Sequence, residues 1–210
     1  MKKLESSLLN MVLVLTGVAV IVGTILAFVN DLTSQPIQQQ KEKTLADGIK
    51  AVMVCDDIIV SATDTVRQTV AGKELTYVIY QAQNAKGEDL GAAIESTTGG
   101  FGGSLKVLVG FNNEGTILGY TLLEHAETPG RGAKADKWFQ KGEKGDIIGK
   151  DPGLKPLGVK KDKNDGEQQV EAITASTITS RAFLKAVNNA YNAYLQKPVD
   201  AHTGATTMKK

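Results

Sequence analysis

The sequence predicts an α+β fold: a single N-terminal transmembrane helix followed by one domain built on an antiparallel sheet. Three observations predict it. Met11 to Val29 is an uninterrupted run with no charged and no amide side chain. Thr76 to Leu123 reads as successive strands joined by short turns. Ile178, Ala182, Phe183, Ala186, Val187, Ala190, Tyr191 and Tyr194 fall on one face of a helix.

At about 1.5 Å per residue the Met11–Val29 run reaches roughly 28 Å, close to the ~30 Å hydrocarbon core of a bilayer. Lys2 and Lys3 precede it, Asp31 follows, and the next basic residue is Lys41. The positive-inside rule therefore expects residues 1–7 in the cytoplasm and the rest outside, on a cytoplasmic (inner) membrane. The run is longer than the apolar stretch of a cleaved signal peptide, and Ala27-Phe28-Val29-Asn30 offers a poor cleavage site, so a retained anchor is expected. Residues 1–30 are assigned to that anchor. Residues 31–56 are assigned to a connecting helix starting at Pro36, with an interrupted stripe of Ile37, Leu45, Ile49, Val52 and Met53. Residues 57–197 form the expected extracytoplasmic domain, and 198–210 a polar tail.

Within the domain, Thr76–Gln83 is rich in Tyr, Val and Ile, and Leu90–Ser96 returns after the turn Asn84 to Asp89. Leu105–Phe111 and Thr116–Leu123 form a second hairpin around Asn112-Asn113-Glu114-Gly115. Between the pairs lies Gly99-Gly100-Phe101-Gly102-Gly103. Residues 124–168 read as loop-rich, with a short helix near Asp136 to Gln140. Trp138 and Phe139 read as core or partner contacts.

Composition narrows the chemistry. A net charge of +1 gives no broad basic surface for nucleic acid. Two histidines and one cysteine exclude a self-contained His/Cys zinc site or an iron–sulfur cluster, so no metal site is expected. Cys55, beside Val52, Met53 and Val54, reads as a small buried hydrophobe.

The turn Glu171-Ala172-Ile173-Thr174-Ala175-Ser176-Thr177 opens directly onto the last helix. Its backbone N–H groups and the positive end of the helix dipole favour an anion there, a phosphate above all. An ordinary Ser/Thr N-cap explains the same residues without a ligand.

Thr174-Ala175-Ser176-Thr177 resembles the Ser/Thr-Gly-Ala-Thr signature of covalently flavinylated FMN-binding domains. Two further blocks carry the same resemblance: Gly99 to Gly103 with the strand after it, and Leu118-Gly119-Tyr120 leading to Glu127-Thr128-Pro129-Gly130-Arg131-Gly132. Together with the anchor they make the chain similar to the G subunits of Rnf ion-translocating oxidoreductases. The resemblance implies FMN joined through its phosphate to Thr177 by a separate flavin transferase that takes FMN from FAD. It implies Thr174, Ala175, Ser176 and Ile178 around the phosphate, and Glu127, Thr128, Pro129 and Gly130 against the isoalloxazine. His125 is either a ring contact or a solvated loop residue.

The resemblance also implies electron relay between ferredoxin and NAD, coupled to Na⁺ or H⁺ movement, with RnfA, RnfB, RnfC, RnfD and RnfE and the lipid bilayer as partners. No independent catalysis is expected of the chain alone. Two departures stand out. The signature's Gly-Ala pair is Ala175-Ser176, which is costly if residue 175 needs φ > 0. Thr203-Gly204-Ala205-Thr206 in the tail matches the signature letter for letter, making Thr206 a rival acceptor. An NqrC-like subunit of Na⁺-translocating NADH:quinone reductase and a cofactor-free assembly module are the alternative readings.

Overall fold

A computed structural model of the chain describes residues 8–55, 57–70 and 73–195. The chain divides between Thr44 and Leu45 into two compact units. Helix α1, Leu8–Met53, carries the one described segment long and apolar enough to cross a membrane. Pro36 lies inside α1 and starts no separate helix. Hydroxyls just upstream bond the ladder, Thr33 Oγ1 donating to Val29 O at 2.8 Å and Ser34 Oγ to Asp31 O at 2.9 Å.

The second unit holds five antiparallel strands in sequential order: β1 Ile58–Val70, β2 Lys73–Asn84, β3 Asp89–Gly99, β4 Ser104–Phe111 and β5 Ile117–His125. Four of these match the expected strands with ends shifted by at most a few residues, and the α+β class is as the sequence predicts. Both expected turns begin on an asparagine whose side chain closes the loop. Asn84 Oδ1 accepts from Lys86 and Glu88 N–H, and Asn112 Oδ1 from Glu114 and Thr116 N–H. β1 lies outside the strands the sequence predicts. Its Ser, Thr, Asp and Arg residues leave it almost wholly exposed, so no apolar alternation marks it.

Helix α3, Thr177–Tyr194, covers one face of the sheet. Phe183, Ala186, Val187 and Ala190 pack there with Ile94, Val107, Val109 and Phe111, all fully buried. Phe139 stacks on Phe183 with ring centroids 4.3 Å apart, so it is a core residue. The end of α1 covers the other face: Ile49, Val52 and Met53 cluster with Ala82, Ala93 and Leu108. Two paired glycines, Gly110 on β4 and Gly119 on β5, make this possible. A Cβ at either would stand 2.4 or 2.8 Å from the carbonyl oxygen of Val52. The compact unit therefore begins at Leu45, within the stretch assigned to a connecting helix, because the stripe at its end is domain core. Cys55, at the helix exit, is half-buried and not a core residue.

The loop-rich stretch is pinned at several points. Tyr120 donates its hydroxyl to Ala135 O at 2.7 Å and accepts from Phe139 N–H at 3.1 Å, fixing the short helix α2, Ala135–Trp138. Burial pushes the Tyr120 phenol well above its ordinary range. Two short parallel strands, β6 Leu157–Val159 and β7 Gln168–Val170, lie beside α3. The Asn188 side chain holds Leu157 through both its N–H and its carbonyl at 2.9 Å.

Candidate functional site

The turn before α3 ends in a backbone that few residues adopt. Ala175 has φ +61, in the left-handed region, where an alanine is strained by about 1–2 kcal/mol. This is the costly case for the Gly-to-Ala departure. The twist brings Ser176 to the N-cap position, closed by Ser176 N–H to Ile173 O at 3.0 Å. Ser176 makes no side-chain cap. The simple Ser/Thr N-cap is therefore not what these hydroxyls do, and the first N–H groups of α3 have no capping side chain.

The hydroxyls of the first turn divide sharply. Ser180 Oγ donates to Ser176 O and accepts from Ile173 N–H, both at 3.0 Å. Thr179 Oγ1 donates to Glu127 Oε2 at 2.8 Å. Thr177, half-buried, forms no side-chain hydrogen bond among the described residues and lines a cleft of about 370 Å³. Thr174 is exposed and does not line that cleft.

Glu127 is the centre of the opposite wall. The residue is only 5 % exposed. Besides Thr179, it accepts Phe101 N–H at 2.8 Å and Gly102 N–H at 3.3 Å on Oε1. A buried carboxylate needs such donors to offset lost hydration. Glycines make room for it: a Cβ at Gly100 would lie 2.0 Å from Oε1, and one at Gly132 2.4 Å from Oε2. One carboxylate thus ties the Gly-rich turn, the Glu-Thr-Pro-Gly loop and the first turn of α3.

Of the residues drawn from the sequence, Thr177, Ala175, Ser176, Ile178, Glu127 and Thr128 come together in this cleft. Pro129 is exposed outside it, and Gly130 faces a neighbouring depression with Ala133, Lys137 and Trp138. Phe101, Arg131, Gly132 and Thr179 also line the cleft, beyond the site residues the sequence reading names. The glycines flanking Phe101 are the available signal for it. His125 is exposed, its Nδ1 accepting Glu127 N–H at 3.3 Å. Among the described residues no cluster of three His, Cys, Asp or Glu could hold a metal.

The antiparallel sheet with this cleft at the head of α3 is that of an FMN-binding domain: the model of the FMN-binding domain family matches residues 100–192. The chain belongs to the family of G subunits of ion-translocating oxidoreductase complexes. It is 33% identical to the G subunit of the ion-translocating oxidoreductase complex of Yersinia pestis, over 81% of each chain. The corresponding G subunit of Vibrio cholerae is 32% identical over 90% of this chain and 91% of its own. The G subunit of the Na(+)-translocating ferredoxin:NAD(+) oxidoreductase complex of Acetobacterium woodii is 29% identical over 87% of this chain and 89% of its own. Among solved structures, the C subunit of the Na(+)-translocating NADH-quinone reductase from Parabacteroides distasonis shares the fold, with TM-score 0.52 and 18% identity over 77% of this chain and 95% of that one.

Proposed function

We propose that this chain is the G subunit of an Rnf-type membrane complex and relays electrons through an FMN held at Thr177. The observation that carries the reading is the Thr177 hydroxyl. It stands at an uncapped helix start inside the cleft, while its neighbours Thr179 and Ser180 are bonded to protein. The residues fit a phosphate-bearing cofactor. The N–H groups at the start of α3 and the Arg131 guanidinium supply positive potential, and Ala175 and Ser176 are small enough to let the backbone approach.

Bound flavin would supply the one-electron chemistry. The chain's own residues hold and shield it. Attachment needs an outside catalyst, since among the described residues no base is hydrogen-bonded to the Thr177 hydroxyl. A flavin transferase would join Thr177 Oγ1 to the FMN phosphorus of FAD. The bond from that phosphorus to the AMP half breaks, the hydroxyl proton passes to a base, and AMP leaves.

The remaining assignments belong to the same reading. α1 anchors the chain in the cytoplasmic membrane with its N-terminus inside and the domain outside. The partners are RnfA, RnfB, RnfC, RnfD and RnfE, and the complex couples ferredoxin:NAD oxidoreduction to Na⁺ or H⁺ transport. Thr206 lies outside the described residues and stays the rival acceptor. In-gel flavin fluorescence after denaturing electrophoresis tests the assignment. With the transferase co-expressed, the wild-type chain and Thr206→Ala fluoresce and Thr177→Ala is dark. The reverse pattern moves the site to the tail, and a dark wild type favours an assembly module.

A further inference from the structure

We propose that Phe101 is a wall of the flavin site, packing on the planar ring system, and that Glu127 is the positioning residue that sets it there. The inference rests on the reading of the cleft as the flavin site. Neither role follows from the Glu-Thr-Pro-Gly loop or the threonine turn by themselves.

Phe101 is 68% exposed, whereas Phe111, Phe139 and Phe183 of the same unit are fully buried. An exposed phenyl gains nothing from the hydrophobic effect until something flat and apolar covers it. Its surroundings tell what that is, since the ring lines the cleft that also holds Thr177, Ile178 and Ala175. The backbone beneath it is tightly held. Gly100 N–H donates to Gly103 O at 2.7 Å, closing the hairpin with Phe101 and Gly102 at its tip. Both tip N–H groups point to Glu127 Oε1. Gly102 sits directly on the neighbouring loop, where a Cβ would stand 2.1 Å from Ala126 O. A side chain with two torsions on so fixed a backbone is pre-organised for a ligand face.

Glu127 directs its bonds to protein donors. Oε1 takes the turn that bears Phe101, and Oε2 takes Thr179, two residues beyond Thr177 on the same helical turn. The carboxylate therefore spaces the aromatic wall from the attachment threonine, and it acts on the flavin through those two elements.

The test uses the full-length chain in detergent, flavinylated by the co-expressed transferase, and reads iodide quenching of flavin fluorescence beside thermal unfolding. Phe101→Ala raises the quenching constant several-fold with flavin still attached. Glu127→Ala gives the same increase. Glu127→Gln restores most of the protection, because its carbonyl accepts the two turn N–H groups and its amide donates to the Thr179 hydroxyl. Should Glu127→Ala fail to fold, Gly102→Ala displaces the turn while keeping the carboxylate, and it too must raise quenching. Wild-type quenching in Phe101→Ala overturns the wall. Reduced thermal stability with wild-type quenching in Glu127→Ala or Gly102→Ala overturns the positioning role. Thr177→Ala keeps the two readings apart: flavin retained in that variant sinks the site itself, whereas its loss, with Phe101→Ala unchanged, sinks only this inference.

Discussion

Thr179 donates its hydroxyl to the buried Glu127 carboxylate at 2.8 Å, joining the first turn of the last helix to a loop 52 positions earlier. Thr179→Val keeps the shape and removes the donor. A charged acceptor is then left short of one bond, which costs about 1–3 kcal/mol. Denaturant unfolding of the full-length chain should show that loss, and Thr179→Ser should recover most of it.

Ala175 is the reverse case, a residue the fold holds under strain. Its φ of +61 suits glycine. Ala175→Gly should stabilise the chain by about 1 kcal/mol, less whatever the more flexible unfolded chain takes back. Ala175→Val should destabilise it, since a β-branched residue is a worse fit to that conformation. Thermal unfolding midpoints of the two variants should therefore move in opposite directions.

The glycine pair under α1 gives a sharper outcome. Gly110→Ala drives a Cβ to within 2.4 Å of the Val52 carbonyl, a backbone atom that cannot swing aside. Overpacking of this kind costs about 1–3 kcal/mol or more. The variant should also release the helix end from the sheet, visible as faster amide exchange at Ile49 to Met53 while α3 stays protected.

Acid should loosen the outer side of α3. Arg181 Nε donates to Asp162 Oδ2 at 2.8 Å and Nη2 to Oδ1, which holds the Asp162 carboxyl below its usual range. A depressed carboxylate pKa contributes stability above the unfolded value, about 3.9, and loses it as pH falls through the folded value. Asp162→Asn should thus destabilise the chain at pH 7 and match wild type near pH 2. Unfolding measured across that range checks the sign.

The fold is legible where residues alternate and turns carry Asn-Gly chemistry, which covers β2 to β5 and α3. β1 is not, because an exposed edge strand of Ser, Thr and Asp lacks an apolar face. β6 and β7 are three residues each, too short for any period. The stripe Ile49, Val52, Met53 is visible, but its burial depends on glycines about 60 residues away that only the folded sheet brings beneath it. The site divides the same way. Thr177 and its turn are contiguous and can be read directly. The Glu127 clamp joins residues 26 and 52 positions apart, and no local pattern announces it. Phe101 stands in view among its glycines, yet its place at the cleft depends on the Glu127 loop and the start of α3, which only the fold brings beside the hairpin.

Peptide mass mapping of the native chain purified from its membrane tests the central claim most directly. Trypsin releases residues 164–181 as one peptide, well separated from the tail that holds Thr206. This peptide should carry the mass of FMN less one water, with fragmentation placing it on Thr177. An unmodified 164–181 peptide from chain that is yellow and active would contradict it.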